Sequence, residues 1–127
     1  MAPLASPVYA DREKLIQTVL EELAIVAYGQ PPSAPEHEAT DEHVDMILAE
    51  LAARDIIHVA STDFIPIEIL HPLAQVIGRH VANKYSIGAQ EVAQLFLPEG
   101  DPFSPENRLR AISRNSQHFA PAVPDYF

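Results

Sequence analysis

The placement of proline decides most of what this chain can fold into. Twelve prolines fall in 127 residues, and a proline inside a helix removes a backbone donor and crowds the preceding turn. They gather at positions 3 and 7, at 31, 32 and 35, at 98, 102 and 105, and at 121 and 124. The intervening stretches are long enough for helices, and their apolar residues recur at helical spacing rather than in strand alternation. Only Pro66 and Pro72 stand within a stretch of that pattern.

Residues 1–10 contain two of these prolines and no helical period, so they read as an extended arm. Asp11 suits the N-cap of a helix running to Tyr28, with Gly29 just past its end. Its apolar stripe is Leu15, Val19, Leu23 and Val26, flanked by Ile16 and Leu20. A second helix begins between Pro35 and Asp41, with a capping box from Ser33 and Glu36, or Thr40 as a later cap. Val44, Ile47, Leu48 and Leu51 point inward, and Arg54-Asp55 ends it. Ile56-Ile57-His58-Val59 is β-branched enough for one short strand near 55–60, or an extended crossing.

A third helix, capped by Ser61-Thr62-Asp63 with Pro66 in its first turn, runs to about Tyr85. It carries Ile69, Leu70, Leu73, Ile77, His80 and Val81. Its small residues Ala74, Gly78 and Ala82 form a row that lets another helix approach closely, and Pro72 either kinks it or marks its true start. Gly88 precedes a shorter helix, Ala89 to Leu97, with Val92, Leu95 and Phe96 inward. Ser104-Pro105-Glu106 opens a last helix to about Arg114, after which periodicity is lost. The expectation is an all-α single domain: a small bundle of four to five helices over 11–114, an N-terminal arm at 1–10 and a C-terminal arm at 115–127.

Eight Lys and Arg face eighteen Asp and Glu, a formal charge of −10. Phosphate neutralisation needs clustered cations, so a nucleic-acid-gripping surface is excluded as the main function. The acids are unevenly spread: residues 1–63 hold twelve against three bases, and residues 64–127 hold six against five. From Pro105 onward Arg108, Arg110 and Arg114 outnumber Glu106 and Asp125. Such asymmetry suggests two surfaces with different partners. Hydrophobic residues make up 47%, enough to build a core. No cysteine is present, which removes disulfides, thiolate nucleophiles and Cys-ligated zinc. No apolar run is long enough to span a membrane, and Met1-Ala-Pro-Leu lacks the basic-then-apolar order of a leader.

Chemistry-bearing patterns are sparse. No nucleophile elbow or comparable catalytic signature occurs. The glycines, at 29, 78, 88 and 100, are isolated, so no Gly-rich phosphate loop exists. Carboxylates are plentiful on the second helix, but on its solvent face, where nothing shifts a pKa toward acid–base work. His37 and Asp41 stand one helical turn apart near His43, short of the four donors of a structural metal site. The expectation is therefore no enzyme, no cofactor and no metal. The C-terminal stretch is more telling. Phe119, Tyr126 and Phe127 stand in a proline-broken segment, and exposed aromatics in such a segment meet a partner or fold back on their own body.

The order of these pieces resembles the head–tail adaptor proteins of tailed bacteriophages, also called connector or head-completion proteins, including those named tail accessory factors. The matching segments are Leu15-Ile-Gln-Thr-Val-Leu-Glu-Glu-Leu23, Met46-Ile-Leu-Ala-Glu-Leu-Ala-Ala-Arg-Asp-Ile56 and Asp63-Phe-Ile-Pro66. They continue with Leu73-Ala-Gln-Val-Ile-Gly-Arg-His-Val-Ala-Asn-Lys-Tyr85 and the closing Phe119-Ala-Pro-Ala-Val-Pro-Asp-Tyr-Phe127. The resemblance implies a virion structural protein, made in the host cytoplasm, that forms a twelve-fold ring of identical subunits beneath the portal protein. There it extends the DNA channel and carries a tail, nozzle or stopper protein below. It implies a portal-binding arm comprising Arg114, Gln117, His118, Phe119, Pro121, Val123, Pro124, Tyr126 and Phe127. Glu38, Asp41, Glu42, Asp45 and Glu50 are the candidate acidic channel or partner face, since a conduit should repel phosphate and let the duplex slide. The alternative is a small acidic cytosolic regulator that occupies a basic protein partner with the same helix.

Overall fold

The computed structural model describes residues 9–119, with side chains as far as Arg114. In chain order the elements are β1 (Tyr9–Ala10), α1 (Arg12–Glu22), α2 (Ala34–Ala53), β2 (Ile65–Pro66), α3 (Ile67–Val81), α4 (Ala89–Leu95) and α5 (Pro105–Phe119). A 3-10 turn, Ala82–Tyr85, continues α3. The chain is all-α as expected, with five helices and one antiparallel pair among the described residues, in which Tyr9 faces Pro66 and Ala10 faces Ile65.

α3 is the centre of the bundle. Leu73, Ala74, Val76, Ile77, Gly78 and Val81 are fully or nearly fully buried along it. α1 and α2 pack on each other and on α3, while α5 packs on α3. The sequence stripes supply the rest of the core: Leu15, Ile16, Val19 and Leu20 from α1, Val44, Ile47 and Leu51 from α2, and Leu109 from α5. Pro72 lies inside α3, buried, rather than marking its start. Ser61-Thr62-Asp63 does not cap α3: Ser61 turns on itself, its Oγ and carbonyl accepting from the Asp63 and Phe64 N–H groups, and Pro66 is the N-cap.

The starts of α1, α2 and α5 follow the sequence closely. Asp11 accepts from the Lys14 N–H at 2.8 Å. Ser33 and Glu36 form the full capping box on α2, which settles its start at Ala34. The ends follow unevenly: α2 stops at the expected Arg54-Asp55 and the 3-10 turn at the expected Tyr85, but α1 falls short. α1 stops at Glu22 rather than Tyr28, because Ala24 adopts φ +59° and the Ile25 N–H returns to the Leu20 carbonyl at 2.9 Å. α2 stops the same way, with Asp55 at φ +57° and the Ile56 N–H on the Leu51 carbonyl. The 3-10 turn does so again, with Ser86 at φ +60° and Ile87 on Ala82. Each is the reversal usually made with glycine, here followed by an isoleucine that returns to the apolar cluster.

Three further expectations are corrected. The 55–60 stretch forms no strand: Ile56 and Ile57 are buried in an irregular crossing, and the short strands lie at 9–10 and 65–66. α4 ends at Leu95 and Phe96 turns extended (φ −134°, ψ 140°), so Leu95 is left outside while the Phe96 ring goes in. That ring lies against the small-residue row at Gly78, where a Cβ would be 3.2 Å from Phe96 Cζ. Finally, α5 continues past Arg114 to Phe119, because no breaker stands before Pro121, whose own restriction falls on Ala120. The first five residues of the expected C-terminal arm are therefore helical.

Candidate functional site

The acidic face of α2 is only partly free. Arg12 reaches across from α1, its Nε donating to Asp41 Oδ1 at 2.6 Å and its Nη1 to Asp45 Oδ1 at 2.9 Å, while Nη2 donates to the Asp41 carbonyl at 3.1 Å. Hydrogen bonding to Asp45, reinforced by Asp41 and opposed by burial, raises the Arg12 pKa above its ordinary value. Two of the five predicted acids thus join α1 to α2. Glu50 lies 3.7 Å from His80 Nε2. Glu38 and Glu42 are exposed and have no hydrogen-bond or ion-pair partner among the described residues.

The histidines and Asp41 do not converge. His37 Nε2 is 2.8 Å from Glu13, and His43 Nδ1 is 3.1 Å from the Ala39 carbonyl. Asp41 is held by Arg12. Among the described residues no three His, Asp or Glu side chains gather as a metal site, and no helix is long and apolar enough to cross a membrane.

Of the predicted arm, Arg114 is exposed, and Gln117, His118 and Phe119 belong to α5. Pro121, Val123, Pro124, Tyr126 and Phe127 lie outside the described residues. How α5 leads toward them is clear. Its first turn is fixed by Ser104, whose Oγ accepts from the Asn107 N–H, and by the buried Glu106 against Arg79 of α3. It then runs antiparallel to α3. Midway along it, Ile112 and Ser113 share a cleft of about 270 Å³ with Ile57, His58, Pro66 and Ile69. Pro66 is the residue paired with Tyr9. The described chain therefore begins beside the strand that the middle of α5 passes.

That region carries apolar surface that sequence reasoning missed. Phe64 is 65% exposed and Tyr9 50%, their rings edge-to-face with centroids 5.9 Å apart, and Ile67 adjoins them. Nothing in periodicity marks them, since they lie in a two-residue ribbon and a turn. A second apolar groove, about 550 Å³, runs between the 3-10 turn and α4, lined by Ala82, Ile87, Val92 and Phe96 with Arg79 and His80 among its polar residues. Such surfaces offer apolar area of the kind that suits association.

Comparison with known proteins adds no relative: no family model, no curated protein and no solved structure matches the chain.

Proposed function

We propose that this chain is a head-to-tail adaptor of a tailed bacteriophage, a virion structural protein that joins a ring of identical subunits to the portal and extends the DNA channel toward the tail. The observation that carries the reading is the run of α5. One helix anchored by the buried Glu106 continues to Phe119, so that the proline- and aromatic-rich sequence 120–127 follows directly from a helix fixed to the body. An arm built on a rigid helix is a means of adding contact area to a neighbour without enlarging the core. The resemblance noted from Leu15 to Phe127 agrees with it.

In this reading the acidic half serves the conduit. Glu38 and Glu42, exposed on α2, contribute negative field without gripping phosphate. The rival reading, a regulator binding a basic partner through α2, needs the whole face as ligand, and Arg12 already engages Asp41 and Asp45. Electron microscopy of portal rings incubated with the chain tests the proposal. An added layer of density on one face of the ring is expected; portal rings unchanged at saturating chain would overturn it.

A further inference from the structure

We propose that the arginine face of α5, formed by Arg108, Arg110 and Arg114, is a docking surface for an acidic segment of a partner protein. The face stands on the geometry of the body; that the portal supplies the segment rests on the adaptor reading, which this deepens.

Acids outnumber bases by ten in this chain, and all of the eighteen except Asp125 lie among the described residues. Carboxylates are therefore in excess, and every arginine outside α5 has taken at least one. Arg12 pairs with Asp41 and Asp45, Arg54 with Glu99, and Arg79 with Glu106. The arginines of α5 have not. Arg108 donates to the side-chain oxygen of Gln75, and Arg110 Nη1 donates to Asn107 Oδ1 at 2.8 Å. Both acceptors are neutral amides, so neither offsets the positive charge. Arg114 has no hydrogen-bond or ion-pair partner among the described residues.

The three share one side of the helix. Leu109 and Glu106 turn α5 toward the core, and at 3.6 residues per turn Ala111 stands opposite Leu109. Arg108 and Arg114 flank Ala111, and Arg110 is one turn before Arg114. Arg110, Ser113 and Arg114 also line a cleft of about 230 Å³ beside Asp55 and Ile56. Like charges four residues apart destabilise a helix, and a carboxylate brought in from outside reverses that effect. The planar guanidinium meets such a carboxylate with two parallel hydrogen bonds, and the small Ala111 leaves the approach open.

Charge selects the occupant. A phosphate polymer brings a dense negative field against a body of net charge −10, and Asp55 stands in the cleft with its side chain 91% exposed. A second copy of this chain carries the same net charge and is repelled as a whole. Single carboxylates on a separate protein meet the arginines one at a time, at lower electrostatic cost. In the adaptor reading that protein is the portal, and α5 adds to the attachment made through residues 120–127.

The test titrates a short oligoglutamate peptide into the full chain and follows the arginine Nε–Hε resonances by NMR, with oligoglutamine as the neutral comparison. Shifts at Arg108, Arg110 and Arg114 are expected with oligoglutamate alone, and binding about tenfold weaker in Arg110→Gln/Arg114→Gln. Lys14→Gln/Lys84→Gln removes the same charge at exposed positions away from α5 and should change binding by less than about twofold. Equal weakening by the two pairs overturns the face in favour of overall charge. No shift at these arginines with millimolar oligoglutamate overturns it outright. Tighter binding of a DNA duplex through the same arginines overturns it in favour of phosphate. A mass that doubles with concentration, and no longer does so in Arg110→Gln/Arg114→Gln, overturns it in favour of a second copy. The two readings fail separately: oligoglutamate held at the face with portal rings left bare refutes the adaptor and keeps the face, whereas portal rings decorated by a chain that ignores oligoglutamate do the reverse.

Discussion

Glu106 is 1% exposed and meets the Arg79 guanidinium with both oxygens, at 2.5 and 3.0 Å, while the same guanidinium donates to the Leu97 carbonyl at 3.0 Å. One ion pair therefore fixes the start of α5, the middle of the bundle and the segment after α4. Burying two charges is costly in itself, so the pair serves geometry more than net stability. Glu106→Gln is expected to cost about 3 kcal/mol by leaving the partly buried Arg79 without its counter-charge, lowering Tm by roughly 10 °C. Arg79→Met/Glu106→Leu should recover most of that loss in the same thermal melts.

Phe96 on Gly78 is the second clamp on this side of the bundle. α4 itself has no buried residue, so the strap from Gly88 to Gly100 is held chiefly by that ring, by Arg79 on Leu97 and by the Arg54–Glu99 ion pair. Phe96→Ala should cost about 3 kcal/mol overall and open the strap first. Hydrogen exchange is the measurement: amides of residues 89–97 should lose protection well beyond those of α3. Equal loss in both would show the strap to be part of the cooperative core.

Ala24 and Asp55 sit in the left-handed region that costs an L-residue about 1 kcal/mol. Ala24→Gly and Asp55→Gly should each stabilise the chain by up to about 1 kcal/mol, additively, with Tm rising about 4 °C per site. A fall in Tm would mean that the side chain at that position has a contact that outweighs its strain.

These turns also show why part of the fold was legible in the sequence and part was not. Helix starts rest on local chemistry, so Asp11 and the Ser33–Glu36 box could be read directly. The ends at Arg54-Asp55 and Tyr85 were read as well, but α1 uses Ala24 where glycine would signal a stop, and the Ile25 that follows is defined only by its tertiary contacts. Gly29, the visible stop signal, lies in a loop. The acidic face had the right residues on the right side of α2, but the role of Arg12 lay 29 positions from Asp41 and left no local trace. Glu106 looked like an ordinary first-turn acid, and only the approach of α3 turns it into a buried partner. The aromatic end was invisible for a similar reason: Tyr9 and Phe64 meet through a strand pairing that short, aperiodic segments do not announce.

Acid should loosen the strap selectively. The Arg54 hydrogen bond holds the Glu99 carboxyl below its ordinary value of 4.5, against a smaller opposing effect of burial. Glu21 is also held low: burial pushes it up, but hydrogen bonds from Gln17 and the Gly29 N–H together outweigh that. A depressed carboxylate contributes stability that is fully present above its unfolded pKa and is lost as pH falls through the folded one. Stability should therefore decline below about pH 4.5. Arg54→Gln should reduce stability above that pH and converge on the parent below it, as followed by thermal melts across the pH range. A constant gap at all pH values would remove Glu99 from the account.

The proposed role is that this chain joins a portal through residues 120–127. The decisive measurement is the mass of the complex formed on a cognate portal by the full chain and by a chain lacking residues 120–127. The account predicts a stoichiometric ring of subunits on the portal for the full chain and no stable complex for the shortened one, with both retaining the same helical circular dichroism. Portal mass unchanged by a folded full-length chain, or an equal gain from both chains, would contradict it.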